Sequence, residues 1–276
     1  MNRVESEEED LTRKQRREQA RAERKAVEQA QLESAARRTR LTQLGVVVAV
    51  VVVAVVVILI ASGGSGKSKP VASHSKQANK NVAEVSALLG GIQQGGNVLG
   101  SPTAPVTLRY FGDLECPGCQ QFTEGALSPI IQNWVRGGKL KIEYRSLETA
   151  TREPEVFKTQ QVAALAAGKQ QKLWYYIELF YREQGEEGSG YVTESYLRNL
   201  AEQVPGLDLT RWTNDRGDAA LANEVATDAQ AANNAGFNGT PAFLIGKTGG
   251  AMGKLEPSSY TDPASFNAAI EKLLKS

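Results

Sequence analysis

The stretch "FGDLECPGCQQF", residues 111–122, holds both cysteines of a 276-residue chain, three positions apart. Cys116-Pro117-Gly118-Cys119 admits three readings: half of a metal site, a structural staple, or a redox pair. A zinc site needs four ligands, usually two such pairs or one pair with histidines. The chain offers two cysteines and one distant histidine, His74, so no metal site is expected within it. A structural disulfide stabilises most when it closes a long loop, and a two-residue gap closes almost nothing. The surroundings favour the redox pair.

Just before the pair, "VTLRYFG" (106–112) is β-branched and aromatic, the content of a strand. Just after it, Phe122, Ala126, Leu127, Ile130, Ile131, Trp134 and Val135 form a stripe of helical period, with Pro129 predicting a kink. Cys116 therefore heads a helix, where the dipole stabilises a thiolate. Pro117 suits the first helical position, which has no use for an amide donor. Cys119, one turn on, is placed to attack a mixed disulfide formed at Cys116. Asp113 and Glu115 oppose ionisation, so the thiolate is expected to rest mainly on backbone amides, with Cys116 accessible.

Working outward, "KLKIEYRSL" (139–147) alternates like a half-buried strand. Residues 155 to about 236 read as helical, with breaks at "GEEGSG" and "VPGLD". "TPAFLIG" (240–246) is another strand, "KTGGAMGKLEP" a hairpin loop with a partner strand, and "PASFNAAIEKLLK" a helix. The order is strand, helix, strand, a long helical block, two strands and a helix, which is an α/β arrangement. The domain is expected to begin at residue 82, with a short helix in "VAEVSALLGG".

The N-terminal third differs. Residues 1–43 carry 11 Lys/Arg against 9 Asp/Glu and read as a solvated charged segment. Leu44 to Ala61, "LGVVVAVVVVAVVVILIA", is eighteen residues without a charge. At about 1.5 Å per residue it roughly matches a bilayer's hydrocarbon core. A signal peptide rarely has so long a charged leader, so the segment reads as an uncleaved anchor, with the nearest arginines slightly favouring a cytoplasmic N-terminus. Residues 62–81 are rich in Gly, Ser and Lys and read as a flexible linker. The phosphate-loop-like "ASGGSGKS" within them follows too long an apolar run to be one, and His74 reads as solvated. Residues 82–276 form the folded domain. With 17 Lys/Arg against 22 Asp/Glu from residue 81 onward, it lacks the basic face that nucleic-acid binding requires.

"SPTAPVTLRYFGDLECPGCQQF" (101–122), a helical insertion, and "GFNGTPAFLIG" (236–246) together resemble the membrane-anchored, DsbA-like branch of the thioredoxin superfamily, over roughly residues 92–275. The resemblance implies a thioredoxin-like fold with a helical insertion at about 155–236. It also implies a thiol–disulfide oxidoreductase in which Cys116 attacks and Cys119 resolves. It implies a cis peptide at Thr240-Pro241, beside the cysteines and pairing with substrate backbone. It further implies exported cysteine-containing proteins as substrates, a site of action outside the cytoplasmic membrane, no cofactor, and, for an oxidase, a quinone-linked membrane partner. DsbA itself, which gives the branch its name, carries Pro-His between its cysteines and a buried acid six residues before the first. Here the dipeptide is Pro117-Gly118 and the acid is replaced by Tyr110; Glu143 and Asp113 are the candidates for a buried proton-relay carboxylate. A reductase or isomerase is the alternative direction. A non-catalytic binding module on the same fold is the competitor from another class, and it would have no need of a proximal thiol pair.

Overall fold

The computed structural model describes residues 75–276. The charged segment (1–43), the expected span (44–61), His74 and all but the end of the expected linker (62–81) lie outside them. No helix among the described residues is long and apolar enough to cross a membrane.

The centre is a six-stranded sheet in the order β1-β2-β4-β3-β5-β6. Its strands are β1 (Gln94–Gly95), β2 (Val98–Leu99), β3 (Val106–Gly112), β4 (Leu140–Ser146), β5 (Ala242–Lys247) and β6 (Met252–Lys254). β3 and β4 are parallel, which requires a crossover between them. Every other pair is antiparallel. β3 lies in the middle and is buried at six of its seven positions, so both faces are covered. β4 alternates buried and half-buried residues as its sequence does. The small β1–β2 hairpin is a departure from the sequence reading, although Gly96-Asn97 between paired Gly95 and Val98 is a two-residue turn signal. Gly96 takes φ +59°, which glycine adopts without strain.

The β3–β4 crossover begins with helix α2 (Pro117–Phe122) and continues through Val135. Pro129 has no N–H for the preceding turn, and its ring crowds that turn's carbonyl. The helix widens into π turns on either side, Thr123–Leu127 and Ile131–Val135, with α3 (Ser128–Ile130) between them. Residue 136 accordingly bonds five back, Arg136 N–H to Ile131 C=O at 2.9 Å. The loosened ladder frees the Ala126 N–H to reach the Tyr260 carbonyl at 3.2 Å. Phe122 stacks edge-on to Tyr110 and Phe243 at 5.0 and 4.8 Å and meets Phe266 at 5.3 Å, which locks this crossover to the sheet. Phe266 belongs to the final helix, α9 (Ala264–Lys275).

Between β4 and β5 stand five helices: α4 (Pro154–Gly168), α5 (Leu173–Arg182), α6 (Glu194–Gln203), α7 (Leu209–Asp215) and α8 (Ala219–Asn234). This is a thioredoxin-like α/β fold carrying a helical insertion. α8 covers the sheet's second face over Phe111 and Leu147, and its buried Asp228 accepts from Arg145 at 2.8 Å and from the Ser146 N–H at 2.9 Å.

The expected linker boundary at 81 is corrected: helix α1 runs Lys76–Leu89, capped by the Ser75 hydroxyl at the Ala78 N–H. The polar run before Val82 is helical because its inward face is used. Ala78 is buried, and Asn81 donates to Glu183 at 3.2 Å. Arg136 closes the other end, donating to the Leu88 and Gly90 carbonyls at 2.8 and 3.0 Å. Gly125, in the first π turn, has no room for a side chain, because a Cβ there would lie 2.6 Å from Thr261 Cα. Gly125→Ala is expected to destabilise the fold by about 1–3 kcal/mol, read as a lower midpoint in chemical denaturation. An unchanged midpoint would mean that the 260–262 segment moves aside freely.

Candidate active site

β3 delivers the chain to Asp113, and the turn that follows is set by that side chain. One Asp113 oxygen accepts from the Glu115 N–H at 3.1 Å and the Thr151 hydroxyl at 2.6 Å. The other accepts from the N–H groups of Thr149, Ala150 and Thr151, each at 2.9 Å. A single buried carboxyl group thus binds the turn before the cysteines to the loop after β4. That loop touches a third segment through the Thr149 and Thr240 hydroxyls, 2.5 Å apart. From the helical insertion, Gln184 donates to the Leu114 and Cys116 carbonyls at 2.7 and 3.2 Å, and Gln120 donates to the Tyr181 carbonyl at 2.9 Å.

Cys116 is the N-cap of α2, with Pro117 as its first residue. The Thr240–Pro241 peptide is cis and lies against it: the Cys116 thiol donates to the Thr240 carbonyl at 3.2 Å. Gly118 faces the same segment, and a Cβ there would stand 3.1 Å from Pro241 Cδ. The structure therefore brings together all six positions singled out from sequence: Cys116, Pro117, Gly118, Cys119, Thr240 and Pro241. Cys116 is more enclosed than expected, because the cis segment covers it. It keeps 7% exposure while Cys119 has none.

The two sulfurs ionise very differently. Cys116 is brought down to about 6. The largest cause is the Cys119 thiol, which donates to it; the Thr240 hydroxyl and the amides of Cys119 and Gly118 add to this, and burial opposes it. Thr240 thus offers the thiol an acceptor carbonyl and the thiolate a donor hydroxyl. The expectation that backbone amides would dominate is corrected: they help, but the neighbouring sulfur leads. Cys119 is pushed well above the ordinary thiol range, chiefly by burial and then by Cys116. The opposing charges expected from Asp113 and Glu115 are muted. Asp113 is surrounded by five donors, and burial raises the Glu115 carboxyl toward its neutral form.

Neither candidate relay carboxylate presents itself to Cys119. Glu143 lies on β4 among Arg109, Lys141 and Arg145, at 3.1, 3.7 and 4.0 Å. Asp113 meets Cys119 through its main-chain N–H, while both its carboxyl oxygens are engaged elsewhere. Sequence reasoning missed Thr149 and Thr151 altogether, since nothing local marks a loop as the partner of an acid 36 to 38 residues earlier. Among the described residues no cluster of His, Cys, Asp or Glu has the arrangement of a metal centre. Asp113→Ala is expected to remove the clamp at a cost of about 3 kcal/mol or more, because it leaves five neutral donors without their acceptor. It should also make the 147–151 loop and the Thr240 segment the first sites of amide hydrogen exchange. Wild-type protection in both would contradict this.

Residues 93–270 match the family model described as Thioredoxin. The chain is 24% identical over 184 residues to the probable disulfide bond formation protein D of Bacillus anthracis, covering 64% of this chain and 77% of that protein. Among solved structures it is similar to oxidised BdbD from Bacillus subtilis, with a TM-score of 0.56 and 21% identity over 67% of this chain and 97% of that one. It is also similar to α-DsbA1 from Wolbachia pipientis, with a TM-score of 0.53 and 18% identity over 69% and 96%. The match to the family model spans the β1–β2 hairpin, the cysteine pair, the helical insertion, the cis segment and most of α9, and the chain belongs to the thioredoxin family.

Proposed function

We propose that this chain is a membrane-tethered thiol–disulfide oxidoreductase that works as an oxidase, forming disulfides in exported cysteine-containing proteins. One observation carries the reading: a first thiol brought to about 6 beside a buried second thiol pushed far the other way. A thiolate stabilised in the reduced protein makes the disulfide form the stronger oxidant. The names of the similar proteins, which concern disulfide bond formation, point in the same direction.

In the proposed reaction a client thiolate attacks Cys116 of the Cys116–Cys119 disulfide. The new bond joins client and Cys116, and the electron pair of the broken bond passes to Cys119. The client's second thiolate then attacks its own bonded sulfur, closing the client disulfide and releasing Cys116 as a thiolate. The client loses two electrons and the enzyme gains them. A quinone-linked membrane partner would take them up and restore the disulfide. Thr240 and Pro241 hold the client chain beside Cys116, and Pro117 and Gly118 allow that close approach. Residues 44–61 would anchor the chain, with 1–43 in the cytoplasm and the domain outside.

The full-length protein, in its oxidised form, should convert a reduced two-cysteine peptide to its disulfide. Cys116→Ser should abolish this, and so should Cys119→Ala, which cannot form the resting disulfide. The lone Cys116 thiolate of Cys119→Ala should instead attack the disulfide of an already oxidised client, releasing one client thiolate and leaving a mixed disulfide that lacks its resolving cysteine, visible on non-reducing gels. Turnover by Cys116→Ser at the wild-type rate would sink the proposal.

Alkylation of Cys116 should rise through a midpoint near pH 6. The folded value lies below the unfolded one, so thiolate formation stabilises the reduced fold. That contribution is complete above the unfolded thiol value, about 8.5, and is lost as pH falls through about 6. Denaturation of the reduced protein across this range checks the sign. Wild type that gains no stability over Cys116→Ser as pH rises from 6 to 8 would contradict it; the comparison cancels the opposite trend of buried Glu178, which is raised to about 7.

A further inference from the structure

The oxidase reading leaves one step without an assigned group. Each time a client attacks Cys116, Cys119 must receive an electron pair in a fully buried place with no carboxylate facing it. What does face it is the Asp113 N–H and the hydroxyl of Tyr110. Tyr110 is completely buried and fixed on three sides, by Phe122, Tyr144 and Phe243 at centroid distances of 5.0, 5.4 and 5.6 Å. Gly112, two residues on, makes room for it: a Cβ there would lie 3.0 Å from the Tyr110 oxygen and 2.9 Å from the Tyr144 ring.

The hydroxyls behind Cys119 form a directed chain. Tyr181 donates to the Asp113 carbonyl at 3.2 Å, and Tyr110 donates to Tyr181 at 3.1 Å. Tyr144 is committed elsewhere, to the Gly112 carbonyl and Gln161 at 3.2 and 3.1 Å. With Tyr181's proton given to a carbonyl, Tyr110 donates to Tyr181, and its oxygen faces a sulfur with no proton to spare: the resting disulfide has none, and the reduced Cys119 thiol gives its proton to Cys116. When Cys119 is a thiolate that order can reverse by rotation of two hydroxyls, with no heavy atom moving. Tyr110 then donates to the sulfur, and Tyr181 donates to Tyr110.

We propose that Tyr110 is a catalytic residue of this chain, the hydroxyl that turns from Tyr181 to Cys119 and stabilises the sulfur as it leaves. The proposal rests on the oxidase reading above. Tyr110 lends a hydrogen bond and keeps its proton; the proton that Cys119 finally takes is one released when the client's second thiol ionises. Burial, foremost, and then Cys119 hold the Tyr110 hydroxyl far above the ordinary phenol range, so it stays a donor throughout.

The test compares full-length wild type, Tyr110→Phe and Tyr181→Phe, each in the oxidised form. The single-turnover rate of oxidation of a reduced two-cysteine peptide is measured beside the Cys116 alkylation midpoint. Tyr110→Phe keeps the ring packing and is expected to slow oxidation by about tenfold or more, the effect of a lost hydrogen bond to a charged group. Its Cys116 midpoint should stay near 6. Tyr181→Phe removes the resting acceptor but not the donor, and should stay within about threefold of wild type. Two results overturn the assignment: Tyr110→Phe at the wild-type rate, or both variants slowed equally, which would mean lost packing. A wild type that leaves the peptide reduced overturns the oxidase reading itself, and the Tyr110 role with it.

Discussion

The carboxyl group of Asp113, completely buried and bound by five donors, is the constraint on which the site depends. A buried acid with unfilled lone pairs would cost several kcal/mol. Here every donor comes from one of two segments that must meet: the turn after β3 and the loop after β4. Satisfying the acid is therefore the same event as assembling the site. The Thr149–Thr240 contact extends that order to the segment carrying Pro241, which in turn bears on Cys116. Three stretches far apart in the chain are held in register by one group whose own oxygens are all engaged in holding them.

That arrangement explains how one sulfur is made acidic without a histidine or lysine nearby. Cys116 sits where amides converge, and its neighbour's thiol adds a further donor because burial keeps that neighbour protonated. Each sulfur's environment sets the other's. The pair is asymmetric because a helix N-terminus has an outer and an inner side, with Cys116 at the cap and Cys119 one turn into the core.

The parts legible in the sequence were those governed by local pattern. β3, β4, β5 and α9 appear where alternation, β-branching or helical period put them, because a sheet flanked by helices turns burial directly into period. The cysteine pair and Thr240-Pro241 were legible as motifs, although their adjacency came from resemblance alone. What failed did so for stated reasons. The polar start of α1 reads as linker, since its worth lies in Asn81 meeting Glu183, 102 residues away. Pro129 reads as a kink, and the sequence does not show that the helix widens into π turns on either side of it, which free the Ala126 N–H for Tyr260. Asp113 reads as a proton relay because acids near cysteines invite that reading; its neighbours in space show it to be a clamp. Tyr110 was noted only as a missing acid, and the hydroxyl chain behind it joins tyrosines from β3 and α5, 71 residues apart.

The split between the two thiols has a consequence for adventitious chemistry. Chelating a soft ion such as zinc or copper requires both sulfurs ionised and both within reach of the ion. In the reduced pair above about pH 6, Cys116 is charged while Cys119 keeps its proton and is sealed from solvent. An ion seated between these two sulfurs would have to displace the Cys119 proton inside the core, whereas a sulfur arriving from outside needs only Cys116.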